Sequence, residues 1–183
     1  MEQVNVNLGV TEMDTVARQI EAAIHLGRYN RRALVIDQCG EYWAKMNTWE
    51  TPVIQAEIDK DEVVGWLRNY DRKQWALSMP YDFQGSTSPM YPDFLVVRKD
   101  GDGYLVDILE PHSSSLADSY AKARGLAKYA QKHHGDFGRI ELIRVDGGKI
   151  KRVDLNDDET RRKVMMVDTN AGLDLVFDGV NEQ

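Results

Sequence analysis

Two carboxylates set inside apolar sequence are the first residues that could do chemistry. Asp93 follows a proline in Tyr91-Pro92-Asp93-Phe94-Leu95-Val96-Val97, and Asp107 sits in Tyr104-Leu105-Val106-Asp107-Ile108-Leu109-Glu110-Pro111-His112. Pro92 has no N–H and suits a strand start, which places Asp93 at the mouth of an apolar strand. Alternation puts Leu105, Asp107 and Leu109 on one face of the next strand and Val106, Ile108 and Glu110 on the other. An aspartate within an apolar strand is costly to bury unless it is paired or binds a cation. A hairpin linking the two strands would draw Asp93 and Asp107 together, and two close carboxylates suit a hard divalent ion such as Mg²⁺. The plainer alternative makes both of them strand-end aspartates that accept backbone N–H bonds. Pro111 can end the second strand and let Glu110 or His112 turn inward.

The cations come from a helix expected over residues 116–133. At about 100° per residue, Leu116, Tyr120, Ala123, Leu126, Ala127 and Ala130 share an apolar arc. Arg124, Lys128 and Lys132 fall together on another face and suit backbone phosphates. Lys122 lies beside Leu126 at the edge of the apolar arc, where it leans towards a sheet or simply snorkels to solvent. Other features carry less. Adjacent His133 and His134 diverge on a helix and are explained by the terminal dipole. Ser113, Ser114 and Ser115 have no nucleophile elbow around them, and Ser115 serves as an N-cap. Gly101-Asp102-Gly103 is a turn and not a phosphate loop. Trp43, Trp49, Trp66 and Trp75 read as core, with at most one or two left to face nucleic acid.

These residues need elements to position them. Residues 12–29 read as an amphipathic helix through Val16, Ala17, Ile20, Ala23, Ile24 and Tyr29, with Thr11 as N-cap and Asp14 three residues on. Residues 41–57 and 61–70 also read as helical, with Pro52 in a first turn. Strands are expected over 73–79, 93–98 and 104–109, the last two joined by Lys99-Asp100-Gly101-Asp102-Gly103. After the helix of 116–133 come a second hairpin, 139–145 and 149–153 across Asp146-Gly147-Gly148, a polar helix over 157–167 and an apolar tail. The fold class is α/β in the broad α+β sense: a single mixed β-sheet flanked by helices. Residues 1–48 form an N-terminal helical region, and 49–183 one compact unit.

Composition bounds the rest. The 183 residues suffice for one domain, and 42% hydrophobic with 29% charged residues is a globular profile. No apolar run approaches the ~18 residues of a membrane span, and MEQVNVNLGV lacks the pattern of a secretory signal. Cys39 is the single cysteine, which excludes disulfide frameworks and cysteine-based zinc sites and leads to the expectation of a reducing, cytoplasmic setting. A net charge of −7 is the wrong sign for an autonomous DNA-binding domain. The charge is uneven, however: five acids and no Lys or Arg over 100–118, then four bases and no acid over 119–134.

Pro92-Asp93, a hairpin, and Asp107 followed by a helix resemble the PD-(D/E)XK nuclease core. Upstream, Trp49-Glu50, then Asp61-Glu62-Val63-Val64-Gly65-Trp66-Leu67-Arg68-Asn69, then Leu77-Ser78-Met79-Pro80-Tyr81 stand in an order similar to the C-terminal endonuclease domain of type III-like restriction and helicase-nuclease proteins. The resemblance spans roughly residues 45–145 and implies a restriction-endonuclease-like core that hydrolyses DNA phosphodiesters with Mg²⁺ or Mn²⁺. It places the family's helical acid on Glu50, its strand-start aspartate on Asp93 and its second acid on Asp107. Asp93, Asp107 and the Ile108 carbonyl would hold the metal, with Glu50 touching it directly or through water. The family's lysine position falls on Leu109, which cannot orient water or neutralise phosphate charge. Lys122, His112 or Glu110 would then have to complete the site. With no Walker loop in the sequence, any motor is a helicase/ATPase or other protein partner of a restriction or defence system. The alternative is an inactive nuclease-like module kept for DNA binding or protein docking.

Overall fold

The computed structural model describes residues 46–113 and 115–180. The expected helix of residues 12–29, Cys39 and Trp43 lie outside the described residues. Eleven elements follow: α1 (Glu50–Ile58), β1 (Val63–Arg68), β2 (Met79–Phe83), β3 (Ser86–Met90), β4 (Phe94–Asp100), β5 (Gly103–Pro111), α2 (Ser119–His133), β6 (Ile140–Asp146), β7 (Lys149–Asp154), α3 (Asp158–Met166) and α4 (Asn170–Asp178). A five-stranded mixed sheet runs β1-β4-β5-β6-β7, and β2 and β3 form a separate two-stranded sheet. Every ladder is antiparallel except β5 with β6, which α2 joins as a crossover.

Both faces of the large sheet are buried. On one, Leu95, Val97, Val106, Ile108 and Leu142 pack with Leu126, Ala127 and Ala130 of α2 and with Val164, Leu173 and Phe177 of α3 and α4. On the other, Phe94, Val96, Leu109 and Ile143 meet Val53 and Ile54 of α1. Two tight turns follow from glycine: Gly101 takes φ of +56° between β4 and β5, and Gly147 and Gly148 take +55° and +83° between β6 and β7, as the Asp146-Gly147-Gly148 run requires.

Three expectations are corrected. Residues 61–70 are not helical, since β1 occupies 63–68 with Val63, Gly65, Trp66 and Leu67 buried on both faces. A short apolar run of this kind carries no periodicity that separates buried strand from buried helix. Residues 73–78 form no strand, and β2 begins only at Met79. The apolar tail is a helix, α4, capped by the Thr169 side chain on the Gly172 N–H. The hairpin of β2 and β3 is an addition to the single sheet expected. It packs on α2 so closely that a Cβ on Gly125 would sit 2.7 Å from Tyr81 Cβ, which is why α2 is buried on two sides.

Candidate functional site

Strand register decides which acids meet. Phe94 pairs with Leu109 and Val96 with Asp107, so Asp107 shares the α1 face with Phe94 and Val96. One step beyond the last pair, Asp93 lies opposite Glu110, and its backbone N–H donates to Glu110 Oε2 at 2.9 Å. The expected convergence of Asp93 with Asp107 is therefore corrected: Asp93 lies three residue pairs along the ladder from Asp107, and its partner is Glu110.

Asp107 is fully buried and bound by two guanidinium groups. Arg98 donates through Nε at 2.5 Å and Nη2 at 3.0 Å, and Arg139 through Nε at 2.8 Å and Nη2 at 2.5 Å. The same Arg139 reaches Glu57 of α1 at 2.6 Å, and Arg152 spans Glu57 and Glu141 at 2.6 Å each. Burial raises the Glu57 carboxyl, but Arg139, Arg152 and Lys60 outweigh it and hold it below its ordinary value. This network ties α1 to the sheet and meets the Asp107 charge with two guanidinium groups. Ile108, assigned a metal-binding carbonyl next to Asp107, is a fully buried core residue that lines no part of the cavity described next. Leu109 is fully buried beside Val96 and Ile143. Counted from Glu110, the residue two positions on is His112, not Leu109.

Asp93 and Glu110 lie at the floor of a cavity of about 360 Å³. Its walls come from the start of α1 (Trp49, Glu50), the β2–β3 hairpin (Tyr81, Pro89, Met90), His112 at the end of β5, and Lys122 of α2. Glu50 is held by a reciprocal pair: its N–H donates to Asn47 Oδ1 at 2.8 Å, and its Oε2 accepts the Asn47 N–H at 2.9 Å. Its other oxygen accepts from Arg68 Nη2 at 2.9 Å, and the same nitrogen stands 3.0 Å from Asp93 Oδ1. The Arg68 guanidinium also lies over the Phe94 ring, 5.1 Å from its centroid. Asn69, 3% exposed, fixes the Pro92-Asp93 turn by donating to the Leu77 and Pro92 carbonyls at 2.8 Å each.

The electrostatics are under-compensated. Burial pushes Asp93 up to about 6, with Arg68 pulling it back and Glu50 adding to the rise. Burial and the nearby charge of Asp93 push Glu110 well above the usual carboxylate range. His112, 5% exposed, is pushed down to about 4 by burial and then by the charges of Arg144 and Lys122, and its Nε2 has no hydrogen-bond partner. Lys122 lines the cavity, but its ammonium pairs with Asp118 at 3.1 Å and stands 5.8 Å from the Tyr81 ring centroid.

Of the residues singled out from sequence, Glu50, Asp93, Glu110, His112 and Lys122 share one cavity, whereas Asp107 and Ile108 do not. Lys128 and Lys132 are exposed on α2 and Arg124 is half-buried, all away from the cavity lining. Lys128 pairs with Asp82 at 3.3 Å. Sequence reasoning missed Arg68 and Asn69. Both stand in the quoted Trp66-Leu67-Arg68-Asn69 run, and a strand assignment there would have placed Arg68 beside the start of β4, since Arg68 pairs with Phe94.

The YagJ family model matches residues 31–180. Protein YagJ of Escherichia coli (strain K12) is 33% identical over 132 residues, covering 72% of this chain and 54% of that protein. The chain thus spans about half the length of the curated relative it matches. No solved structure matches it.

Proposed function

We propose that this chain, which belongs to the YagJ family, is a metal-dependent DNA phosphodiesterase domain, with Glu50, Asp93 and Glu110 as its acids. The observation that carries this reading is the cross-strand meeting of Asp93 and Glu110 at the floor of a cavity that Glu50, His112 and Lys122 also line. A Pro-Asp strand start, a hairpin, an acid on the facing strand and a crossover helix is also the arrangement that the nuclease resemblance implies. Carboxylates forced up by burial and by one another favour any added positive charge, and such groups concentrate at functional sites.

The chemistry of the donors suits the ion, although among the described residues no three such side chains are already gathered around one point. Carboxylate oxygens suit Mg²⁺ or Mn²⁺, and a third positive group would relieve the repulsion between Asp93 and Glu110. When bound, such an ion lowers the pKa of a water and neutralises charge on a phosphoryl oxygen. The chain's own residues do the rest. Asn69 and Asn47 hold Asp93 and Glu50 in place. Neutral His112 presents an unpartnered Nε2 in the cavity wall. Lys122 sits at the rim for a phosphate, at the expense of its pair with Asp118. Lys128, Lys132 and Arg124 offer further phosphate contacts along α2.

One reading from a different class has an observation of its own. Arg68 already bridges Glu50 and Asp93, which together with the net charge of −7 favours a catalytically inactive module that binds DNA or docks a helicase/ATPase or other partner. Supercoiled plasmid and single-stranded DNA incubated with Mg²⁺, Mn²⁺ or EDTA separate the two. The phosphodiesterase reading expects metal-dependent cleavage that Asp93→Asn and Glu110→Gln each abolish. Cleavage unaffected by EDTA, or retained by both variants, would overturn it. No cleavage with any metal leaves the docking module.

A further inference from the structure

We propose that Arg68 is the resident counter-cation of the cavity and exchanges with a divalent ion for Glu50 and Asp93, so that it sets the metal affinity of the site. The inference rests on the metal-site reading above but concerns a residue to which nothing there gives a role.

The geometry starts from a single atom. Arg68 Nη2 is 2.9 Å from Glu50 Oε1 and 3.0 Å from Asp93 Oδ1, so one nitrogen occupies the point where the two carboxylates converge. Arg68 is 15% exposed at its side chain, and the two acids 6% and 22%, so the contact is largely shielded from water. A cation at that point and a second cation cannot both be accommodated. Among the described residues, no three His, Cys, Asp or Glu side chains are gathered ready to hold a metal. With Arg68 withdrawn, Glu50 and Asp93 regain the two oxygens it engages, and Glu110 already adjoins Asp93.

A second, separate feature points to a ligand. His112 lines the same cavity at 5% exposure with Nε2 unpartnered. A buried polar atom without a partner is costly to keep, and this one lines the same cavity as the two acids, where a ligand would meet it. Lys122 does not compete for the exchange, because Asp118 and the Tyr81 ring engage its ammonium. Arg68 differs from a lysine here: its guanidinium spreads over Phe94, an apolar support that remains when the carboxylates are taken by metal. Released from Glu50 and Asp93, it stays at the cavity floor as a fork of N–H donors suited to a phosphate.

The test is Mn²⁺ titration of the full chain, followed by electron paramagnetic resonance and calorimetry, for wild type, Arg68→Met, Arg68→Lys and Asp93→Asn. Met keeps the apolar stem and removes the charge. Arg68→Met should bind Mn²⁺ roughly 10–100-fold more tightly, the range that one or two released charge-assisted hydrogen bonds return. Arg68→Lys should fall between Met and wild type, and Asp93→Asn should bind more weakly than wild type. A wild-type measurement covers the case where Arg68→Met does not fold: Mg²⁺ saturation should shift the Arg68 Nε–H resonance and speed its exchange with water. Equal or weaker Mn²⁺ binding in folded Arg68→Met, no Mn²⁺ binding in any form, or an Arg68 resonance indifferent to Mg²⁺ would each overturn the exchange. Tighter binding in Arg68→Met without DNA cleavage would uphold the exchange and remove the phosphodiesterase reading instead.

Discussion

Asp107→Asn distinguishes a structural acid from a functional one. The substitution keeps shape but removes the charge that faces Arg98 and Arg139, whose four donor contacts to Asp107 run from 2.5 to 3.0 Å. An Asn side chain presents one oxygen instead of two, and its NH₂ group is turned towards guanidinium N–H donors. Breaking a buried ion pair by neutralising one partner typically costs about 3–5 kcal/mol, most of it from the charge left behind. Arg98 and Arg139 are 19% and 21% exposed, so water relieves part of the penalty and the lower end applies. Arg139 also keeps Glu57. The expected loss is about 3 kcal/mol, or roughly 10 °C in Tm for a domain of this size.

The assay is equilibrium urea unfolding followed by circular dichroism at pH 7.5, with Glu110→Gln as the internal comparison. Glu110 is buried and its carboxyl is already pushed towards the neutral form, so Gln should leave stability within about 1 kcal/mol of wild type or raise it. Similar m-values would show that the differences lie in the folded state. An Asp107→Asn variant as stable as wild type, or a Glu110→Gln variant that loses as much, would refute the division of labour between the two acids.

Gly138→Ala should strike the same network from the backbone side, since a Cβ there would sit 2.5 Å from Asp107 Oδ1 and 2.8 Å from Arg98 Nη2. A loss of about 1–3 kcal/mol is expected, and in a double-mutant cycle with Asp107→Asn the two losses should be clearly less than additive; strict additivity would contradict the shared contact. Leu109→Lys should not restore a missing catalytic charge: it places an ammonium among Val96, Phe94 and Ile143, so a destabilisation of several kcal/mol with no gain in DNA cleavage is expected, and a stable, more active variant would disprove the placement. His112 has a folded pKa of about 4 against an ordinary 6.5, so above about pH 6.5 it is neutral in both states and adds no pH dependence. As the pH falls from 6.5 to 4 the unfolded chain takes up its proton first, and stability declines by up to about 3 kcal/mol. His112→Phe, which retains a ring against Phe177, should flatten that acid limb in urea titrations, whereas parallel pH profiles for the two proteins would rule it out.

The legible parts of the fold were those that carry local chemistry. The glycine turns between β4 and β5 and between β6 and β7 stand where residue type and spacing place them, and so does the amphipathic α2 from Ser119 on, whereas Leu116, expected in its apolar arc, precedes it and is exposed. β1 was not legible as a strand because Val63, Trp66 and Leu67 are buried on both of its faces, which erases the period of two. The same erasure hid the site. Alternation within β5 correctly separated Asp107 from Glu110, but β4 offers apolar residues on both faces: Phe94 and Val96 on one, Leu95 and Val97 on the other. Nothing local states which face of β4 matches which face of β5. Register alone does, and a shift of one residue exchanges every side chain between faces. Asp93 is therefore paired with Asp107 in the sequence reading and with Glu110 in the structure.

The two clusters of buried acids also differ in charge balance. On the α1 side, Glu57, Asp107 and Glu141 are met by Arg98, Arg139, Arg152 and Lys60, three acids against four bases. In the cavity, Glu50, Asp93 and Glu110 share Arg68, while Lys122 turns to Asp118. Buried carboxylates are retained at a folding cost unless paired, and the first cluster shows that this chain can place arginines wherever it needs them. In the second cluster Lys122 acts on Asp93 and Glu110 through its charge alone, and His112 Nε2 beside them has no partner. On the proposed reading, a positively charged species from solution would make up the difference. A divalent ion supplies that charge in the way a protonated carboxyl cannot, because it also draws a phosphate oxygen towards itself. The deficit at Asp93 and Glu110 is the physical reason to look for metal and phosphate at this cavity and not at Asp107.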